Sequence, residues 1–507
     1  LGWIILSNCI ILTGGTWTPE HFPKVQRSLG PYRVATSLEA AGYSTTVIDY
    51  VVNMTVDEII KVISKNLTSD TLWVGFSSTF FWANDNFYNR SQLERMYWTD
   101  YEDINKIISY VREHSTAKVV YGGAKAPFSL VDKNIDYYVV GYADNSIIEL
   151  SNYLKDGVPL TDVQEITIDD SISYVIDSNK YPEPKMDNIT TNWWNKQYNI
   201  LPNEGLPIEL ARGCIFKCKF CTYPLLGKKK GTYLRDPECI KEELIKMWES
   251  TGTASYYFTD DTFNDDNDKI ESLHKVFTSL PFKPQFSAYL RMDLINKFPH
   301  QADMLTEMGL VGTYFGIETL QADSAKCIGK GLSPQKVKDR LYWLHEKWNK
   351  KVNIGAGFIL GLPYDTFEYY DDLYKWCLES DNPLQQISFY PLYLFNRQKG
   401  GRLDAYTSEF SLNPDIYGYT FPTDNIKWEL KSQNLSYDIC KQIASDFSRD
   451  ICSKNKFAEF QMITALNTGI KIDDLYNLTE IEIFNKYDIP AMNKLKIDSY
   501  KQMIGAM

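Results

Sequence analysis

Short apolar runs with the length and β-branched content of buried strands recur along this chain, and amphipathic stretches separate them. In residues 1–160 the runs are Cys9–Leu12, Thr45–Asp49, Leu72–Ser77, Lys118–Tyr121 and Tyr137–Val140. Helical patterns fall between them at Val34–Ala41, Val56–Ser64 and Ile104–Glu113. Runs of this kind read as strands buried on both faces. Their alternation with helices predicts an α/β, Rossmann-like, doubly wound parallel sheet. Gly14 and Gly15, Ser77, Gly122 and Gly123, and Gly141 fall at or just after the strand ends. An open α/β sheet takes its ligands there, and glycine lets a ligand approach the backbone.

The same rhythm returns in residues 206–400, with runs at Ile208–Ala211, Tyr256–Thr259, Gln285–Leu290, Gly312–Gly316, Ile354–Leu360 and Ile387–Leu392. Six βα units predict a partial (β/α)6 barrel of the TIM type. The first helix of this region is well marked: Asp236 caps it, Pro237 suits its first position and Glu238 favours its positive end. Residues 161–205, polar and broken by Pro182, Pro184 and Pro202, read as a linker. Residues 401–507 read as a mostly helical region. The aromatic stretch over residues 80–100 reads either as a functional loop or as a lid packed on its own domain.

Charge narrows the partners. Lys plus Arg number 53 and Asp plus Glu 65, a net −12, which disfavours wrapping bulk nucleic acid. The one notable basic run, Lys228-Lys229-Lys230, reads as a solvated loop. No apolar run approaches a membrane span, and the apolar start lacks the basic flank and cleavage site of a signal peptide, so a strand is expected there. Three of the nine cysteines sit within eight residues and the rest are scattered. That is no disulfide framework, and a reducing cytoplasm is expected.

The clustered three form Cys214-x3-Cys218-x2-Cys221, directly after the first strand of the second region. Three thiolates on one loop can hold three irons of a four-iron cluster and leave the fourth open to an added ligand. A structural zinc site would close its shell with a fourth ligand. The next cysteine, Cys239, lies across a helix start, and no histidine follows until His274. The motif, with Phe220 just before the last cysteine, resembles the signature of the radical S-adenosylmethionine (SAM) superfamily. Further segments resemble that family's strand ends in order: Phe258-Thr259-Asp260-Asp261, Leu290-Arg291-Met292-Asp293, Phe315-Gly316-Ile317-Glu318 and Gly357-Phe358-Ile359-Leu360-Gly361-Leu362-Pro363.

The resemblance implies a [4Fe–4S] cluster on Cys214, Cys218 and Cys221, whose open iron is chelated by SAM, and reductive cleavage of SAM to methionine and a 5′-deoxyadenosyl radical. It also implies roles around SAM. Phe220 would lie near the adenine and Asp260 or Asp261 near the amino group. Arg291 would meet the carboxylate and Glu318 the ribose. Thr-Asp-Asp stands here where many members carry Gly-Gly-Glu. An electron donor such as flavodoxin or ferredoxin is the implied partner.

An α/β domain before such a barrel resembles the cobalamin-binding branch of the superfamily. The resemblance rests on Ser37–Tyr43 with Val47-Ile48-Asp49, and on Val120-Tyr121-Gly122-Gly123-Ala124. It implies cobalamin near Gly14, Gly15, Ser77, Gly122, Gly123 and Gly141. The Asp-x-His-x-x-Gly motif that would give cobalt a histidine is absent from the sequence. The implied reaction is methyl transfer to an unactivated carbon of a small molecule or peptide. A radical SAM enzyme without cobalamin and a non-enzymatic iron–sulfur protein are the alternatives.

Overall fold

The structure is a computed structural model. It describes residues 7–17, 24–78, 81, 101–123, 134–168, 170–182, 186, 190–222, 226–229, 231–260, 262–394, 408–422, 427–453 and 470–507. The chain divides into two compact units: residues 1–207, 242–253 and 490–507 form one, and residues 208–241 and 254–489 the other.

In the first unit, β1 (Asn8–Leu12) is followed by a short antiparallel pair, β2 (Gly15–Trp17) and β3 (Lys24–Gln26). The remaining strands are β4 (Ser44–Ile48), β5 (Thr71–Ser77), β6 (Lys118–Gly123), β7 (Tyr137–Val140), β8 (Gln164–Ile168) and β9 (Ser171–Asp177). The sheet runs β4-β1-β5-β6-β7-β9-β8 and is parallel except for the β8–β9 pair. Its first five strands have the 2-1-3-4-5 order of flavodoxin-like folds. The strand order reverses between β1 and β5, and ligands bind outside the carboxyl ends at such a point.

Helices α1 (Leu29–Ala40), α2 (Val56–Asn66), α3 (Tyr101–His114) and α4 (Ser146–Asp156) connect the strands. Ile10, Leu12, Val74, Phe76 and Val119 of the sheet pack against Ile59, Ile63, Ile107 and Val111 of the helices. A capping box between Thr55 and Glu58 fixes the start of α2. The first helix begins five residues before the expected Val34. Gly30 and Pro31 fall in its first turn, where a missing N–H costs nothing.

The expected linker is partly sheet. β9 pairs parallel with β7, and β8 returns antiparallel through Asp170, whose φ is +65°. β8 is an edge strand with little burial, so its sequence carries no buried apolar run. Of the aromatic stretch over residues 80–100, only Phe81 lies within the described residues.

The second sheet is built on β10 (Leu206–Ile208), β11 (Ser255–Phe258), β12 (Gln285–Leu290), β13 (Leu310–Glu318), β14 (Asn353–Leu360) and β15 (Gln386–Pro391). They lie side by side in chain order, and the pairs from β11 to β15 are parallel. That is the partial barrel expected from six βα units. Helices α5 (Pro237–Thr251), α6 (Asn267–Thr278), α7 (Met292–Lys297), α8 (Gln301–Met308), α9 (Ala322–Ile328), α10 (Pro334–Trp348) and α11 (Phe367–Cys377) lie between the strands in sequence. Asp236 caps α5 as expected, accepting the N–H of Glu238 at 2.7 Å. Phe258 and Phe286 pack against Phe277 of α6, and Phe358 packs against Trp376 of α11, which marks the helix-facing side of the sheet.

The C-terminal region is mostly helical, with Tyr437–Ser453, Ile472–Asn477, Glu480–Tyr487 and Ile489–Ile504. It also holds a small antiparallel sheet of Tyr419–Thr420, Glu429–Leu430 and Leu435–Ser436, too short to leave a period-2 signal. Nearly all of its last helix belongs to the first unit. Among the described residues no helix is long and apolar enough to cross a membrane.

Candidate metal centre

The first barrel strand ends two residues before Leu210 because the N–H of Leu210 is taken by the Asp260 carboxylate at 3.0 Å. The chain then turns through Gly213, whose φ of +124° suits glycine, into the cysteine loop. The loop folds back on itself. Gly227 donates its N–H to the Phe216 carbonyl at 3.1 Å, and Lys228 donates to the Cys214 carbonyl at 3.0 Å. A tight turn closes Cys221 N–H on the Cys218 carbonyl at 3.0 Å. The outer side is pinned as well: Lys219 donates to the carbonyl of Ile328, and Phe410 donates to that of Lys219.

All three thiols are free. Cys214 is buried, while Cys218 and Cys221 are half-buried. Burial pushes the Cys214 thiol up, partly offset by the Phe216 N–H and by Thr262, whose Oγ1 is 3.8 Å from Sγ. Among the described residues, no three His, Cys, Asp or Glu side chains gather closely enough to hold a single metal ion. Three thiolates on one loop suit a four-iron cluster, three of whose irons would each take one.

Arg291 follows β12 and stands over this loop. Its Nη1 donates to Cys218 Sγ at 3.3 Å, and its guanidinium carbon lies 3.7 Å from the Phe216 ring centroid. Its other two nitrogens close on Asp293 at 3.0 and 2.7 Å. The fork expected for a ligand carboxylate is thus engaged by Asp293, which holds the cation against a thiol.

Asp260 also has partners within the chain. It is buried and accepts from Lys269 Nζ at 3.3 Å as well as from Leu210. Lys269 also reaches Asp265 Oδ1 at 3.2 Å and the Thr262 carbonyl at 3.3 Å. Burial lifts the Asp260 carboxyl to about 6, with Lys269 pulling the other way. This ion pair joins the end of β11 to α6. Asp261 lies outside the described residues.

Glu318 ends β13 with φ +67° and meets Lys330 at 3.4 Å. Lys330 also donates to the Gly316 carbonyl at 2.6 Å. A Cβ on Gly316 would fall 2.6 Å from Glu318 Oε1, so that glycine makes room for the carboxylate. Phe220 is half-buried in the turn between Cys218 and Cys221. Sequence reading missed Lys269, Glu209 and Arg212. The Glu209 carboxylate is gripped by Arg212 at 2.9 Å on both oxygens. The i,i+4 spacing of Asp265 and Lys269 was the available signal.

In the first unit the strand-end glycines have local duties. Gly14 has φ +87°, and a Cβ there would lie 1.7 Å from Asp49 Oδ1. Gly123 has φ +117°, with Ser78 Oγ 2.9 Å from its would-be Cβ. Gly141 has φ +95° and only ordinary contacts at 3.6 Å, Gly122 pairs with Ser77, and Gly15 opens β2. His114 ends α3, exposed and bonded to the Tyr110 carbonyl. His21 lies outside the described residues.

Residues 208–377 match the Radical SAM superfamily. The chain carries a radical SAM domain. Such a domain implies a [4Fe–4S] cluster and SAM, and the donor set of Cys214, Cys218 and Cys221 fits the cluster. An uncharacterized methyltransferase of Pyrococcus horikoshii is 27% identical over 270 residues, 50% of this chain and 55% of that protein. The hopanoid C-2 methylase of Rhodopseudomonas palustris is 27% identical over 186 residues, 36% of this chain and 34% of that protein. The chain thus spans about half or less of the length of these relatives. Among solved structures, the radical SAM methyltransferase TsrM of Kitasatospora setae, with cobalamin and a [4Fe–4S] cluster bound, shares the fold. It has a TM-score of 0.63 at 15% identity over 95% of this chain and 99% of its own. The cobalamin-dependent radical enzyme OxsB shares it at a TM-score of 0.54 and 14% identity, over 95% of this chain and 56% of its own.

Proposed function

We propose that this chain is a cobalamin-dependent radical SAM methyltransferase that modifies an unactivated carbon, with an electron donor of the flavodoxin or ferredoxin kind as its partner. The observation that carries the reading is a three-thiol loop at the mouth of a partial barrel, in one chain with a 2-1-3-4-5 parallel sheet. The fold shared with TsrM and OxsB, both cobalamin-dependent or cobalamin-bound by description, supports it.

When bound, the cluster, SAM and the corrinoid supply the reductive cleavage and the methyl group. The chain's part is to hold and orient. Cys214, Cys218 and Cys221 would anchor the cluster, and Arg291 places a cation 3.3 Å from one of those thiols. The backbone near Gly14, Ser77, Gly122, Gly123 and Gly141 would face the corrinoid. Gly141 has a positive φ and only ordinary van der Waals contacts around its would-be Cβ.

The test is anaerobic purification of the full chain from cells supplied with cobalamin. About four irons and near-stoichiometric corrinoid are expected. Reductant and SAM should then yield both 5′-deoxyadenosine and S-adenosylhomocysteine by mass spectrometry. Intact iron with negligible corrinoid would leave a cobalamin-free radical enzyme, and iron without SAM consumption would remove the enzymatic reading.

A further inference from the structure

The inner face of the second unit's sheet can be identified by parity. Phe258, Phe286 and Phe358 pack against helices, so residues one step along each strand face the other way. On β12 those are Ser287 and Tyr289, and two residues beyond Tyr289 comes Arg291, which touches Cys218. The face that carries Tyr289 is therefore the face on which the cysteine loop sits. Cross-strand register continues it: Tyr289 stands opposite Tyr314, Tyr314 opposite Gly355, and Gly357 opposite Ser388. Tyr390 follows two residues after Ser388.

Barrel interiors are ordinarily filled by bulky branched side chains. This one is not. Gly355 and Gly357 occupy adjacent inward positions of β14, and the Tyr314 ring lies across them. A Cβ on Gly355 would fall 3.1 Å from that ring, and one on Gly357 only 2.4 Å from its hydroxyl and 3.0 Å from its ring carbons. One face of Tyr314 is thus set on bare backbone. Tyr289 meets Tyr314 edge-on, with centroids 5.5 Å apart and planes at 72°. The Tyr314 hydroxyl reaches Ser388 and lies near the phenols of Tyr289 and Tyr390. Tyr289 and Tyr390 are 39% and 46% exposed, unusual for large rings on the inner wall of a barrel. In the same cross-strand row, Nε2 of Gln386 is buried with no hydrogen-bond partner among the described residues.

We propose that this wall is the substrate seat, and that the substrate presents a flat aromatic ring system to Tyr289, Tyr314 and Tyr390. Two rings at a steep angle offer a new ring one face to stack on and one to meet edge-on, the two preferred aromatic geometries. The phenol hydroxyls supply donors for an acceptor on the ring's rim. The inference rests on reading the second unit as a radical SAM barrel, and it adds the substrate class and the residues that set it.

The test uses the anaerobically purified full chain and three probes: 2-naphthoate, its saturated decahydro counterpart of equal charge, and methyl β-glucopyranoside. Binding is followed by calorimetry. Preference for 2-naphthoate over the saturated acid is expected. Tyr289→Ala and Tyr390→Ala should each weaken 2-naphthoate about 3- to 10-fold, the range of one lost ring pair, and Tyr289→Phe should restore most of it. Gly357→Ala, which displaces the Tyr314 ring, should weaken it as well. Equal binding of the two acids, tighter binding of the glucoside, or indifference to both alanine variants would overturn the proposal. The probe preference of the unaltered chain decides even where a variant fails to fold. Corrinoid and deoxyadenosine are measured on the same samples. Ring preference without corrinoid would strike the methyltransferase reading and leave this one, and the reverse result would strike this one alone.

Discussion

Asp365, just after β14, shows how much one buried carboxyl can carry. It is fully buried and accepts from Ser324 Oγ at 2.9 Å, Tyr370 hydroxyl at 3.0 Å, and the N–H groups of Gly361 and Leu362 at 3.1 and 3.0 Å. Burial pushes the carboxyl up to about 7, against the pull of these four donors. In the unfolded chain an aspartate loses its proton near 3.9. Between that pH and about 7 the native state holds the extra proton, so stability falls as pH rises through this window and levels off above it. A shift of this size corresponds to about 4 kcal/mol across the window. Chemical denaturation at pH 5 and pH 7.5 should show the decline, and Asp365→Asn should flatten it. An unchanged slope in the variant would assign the pH dependence elsewhere.

Among elements, the last helix is held by charges that no local pattern announces. Arg27, wholly buried, donates to Glu204 at 3.0 Å and lies 3.8 Å from Asp49. Tyr50 donates to the other Glu204 oxygen at 2.5 Å, and Lys496 of the Ile489–Ile504 helix reaches it at 3.0 Å. Tyr500, from the same helix, accepts the Asp49 N–H at 2.8 Å. Burial alone would raise Glu204, yet Arg27 and Lys496 prevail and hold it at about 2. Glu204→Ala leaves Arg27 buried without its main partner and should destabilise the first unit by about 3–5 kcal/mol. Hydrogen exchange in β1 and β4 would read it, and Glu204→Gln should cost less. Nothing in the sequence links these residues, because Arg27 and Glu204 are 177 positions apart. The parallel strands were legible because both faces are buried and the apolar runs are continuous. The cysteine loop was legible because its spacing is its chemistry. β8 was not, since an exposed edge strand has no such run, and neither was the engagement of Asp260, whose partner Lys269 sits on the next helix.

At the scale of the whole molecule, the proposed reading gives each unit its own ligand, a cluster with SAM in the second and a corrinoid in the first, and these should load separately. Cys218 holds its place through backbone hydrogen bonds of the loop, so Cys218→Ala should remove most of the iron and all SAM cleavage while corrinoid stays bound. Gly123 has φ +117° at a strand end, where Gly123→Val would strain the backbone and press on Ser78. It should lose corrinoid and keep iron. Backbone strain alone could mimic that result, costing about 1–2 kcal/mol for a side chain at positive φ. Gly157 supplies the control: it ends α4 with φ +72° and has no neighbour within 4 Å of its would-be Cβ. Gly157→Val carries similar strain away from the strand ends, so it should retain both cofactors. Iron and corrinoid quantified on the three variants separate the cases. Loss of both cofactors in either site variant, with Gly157→Val intact, would mean that the units load as one cooperative body.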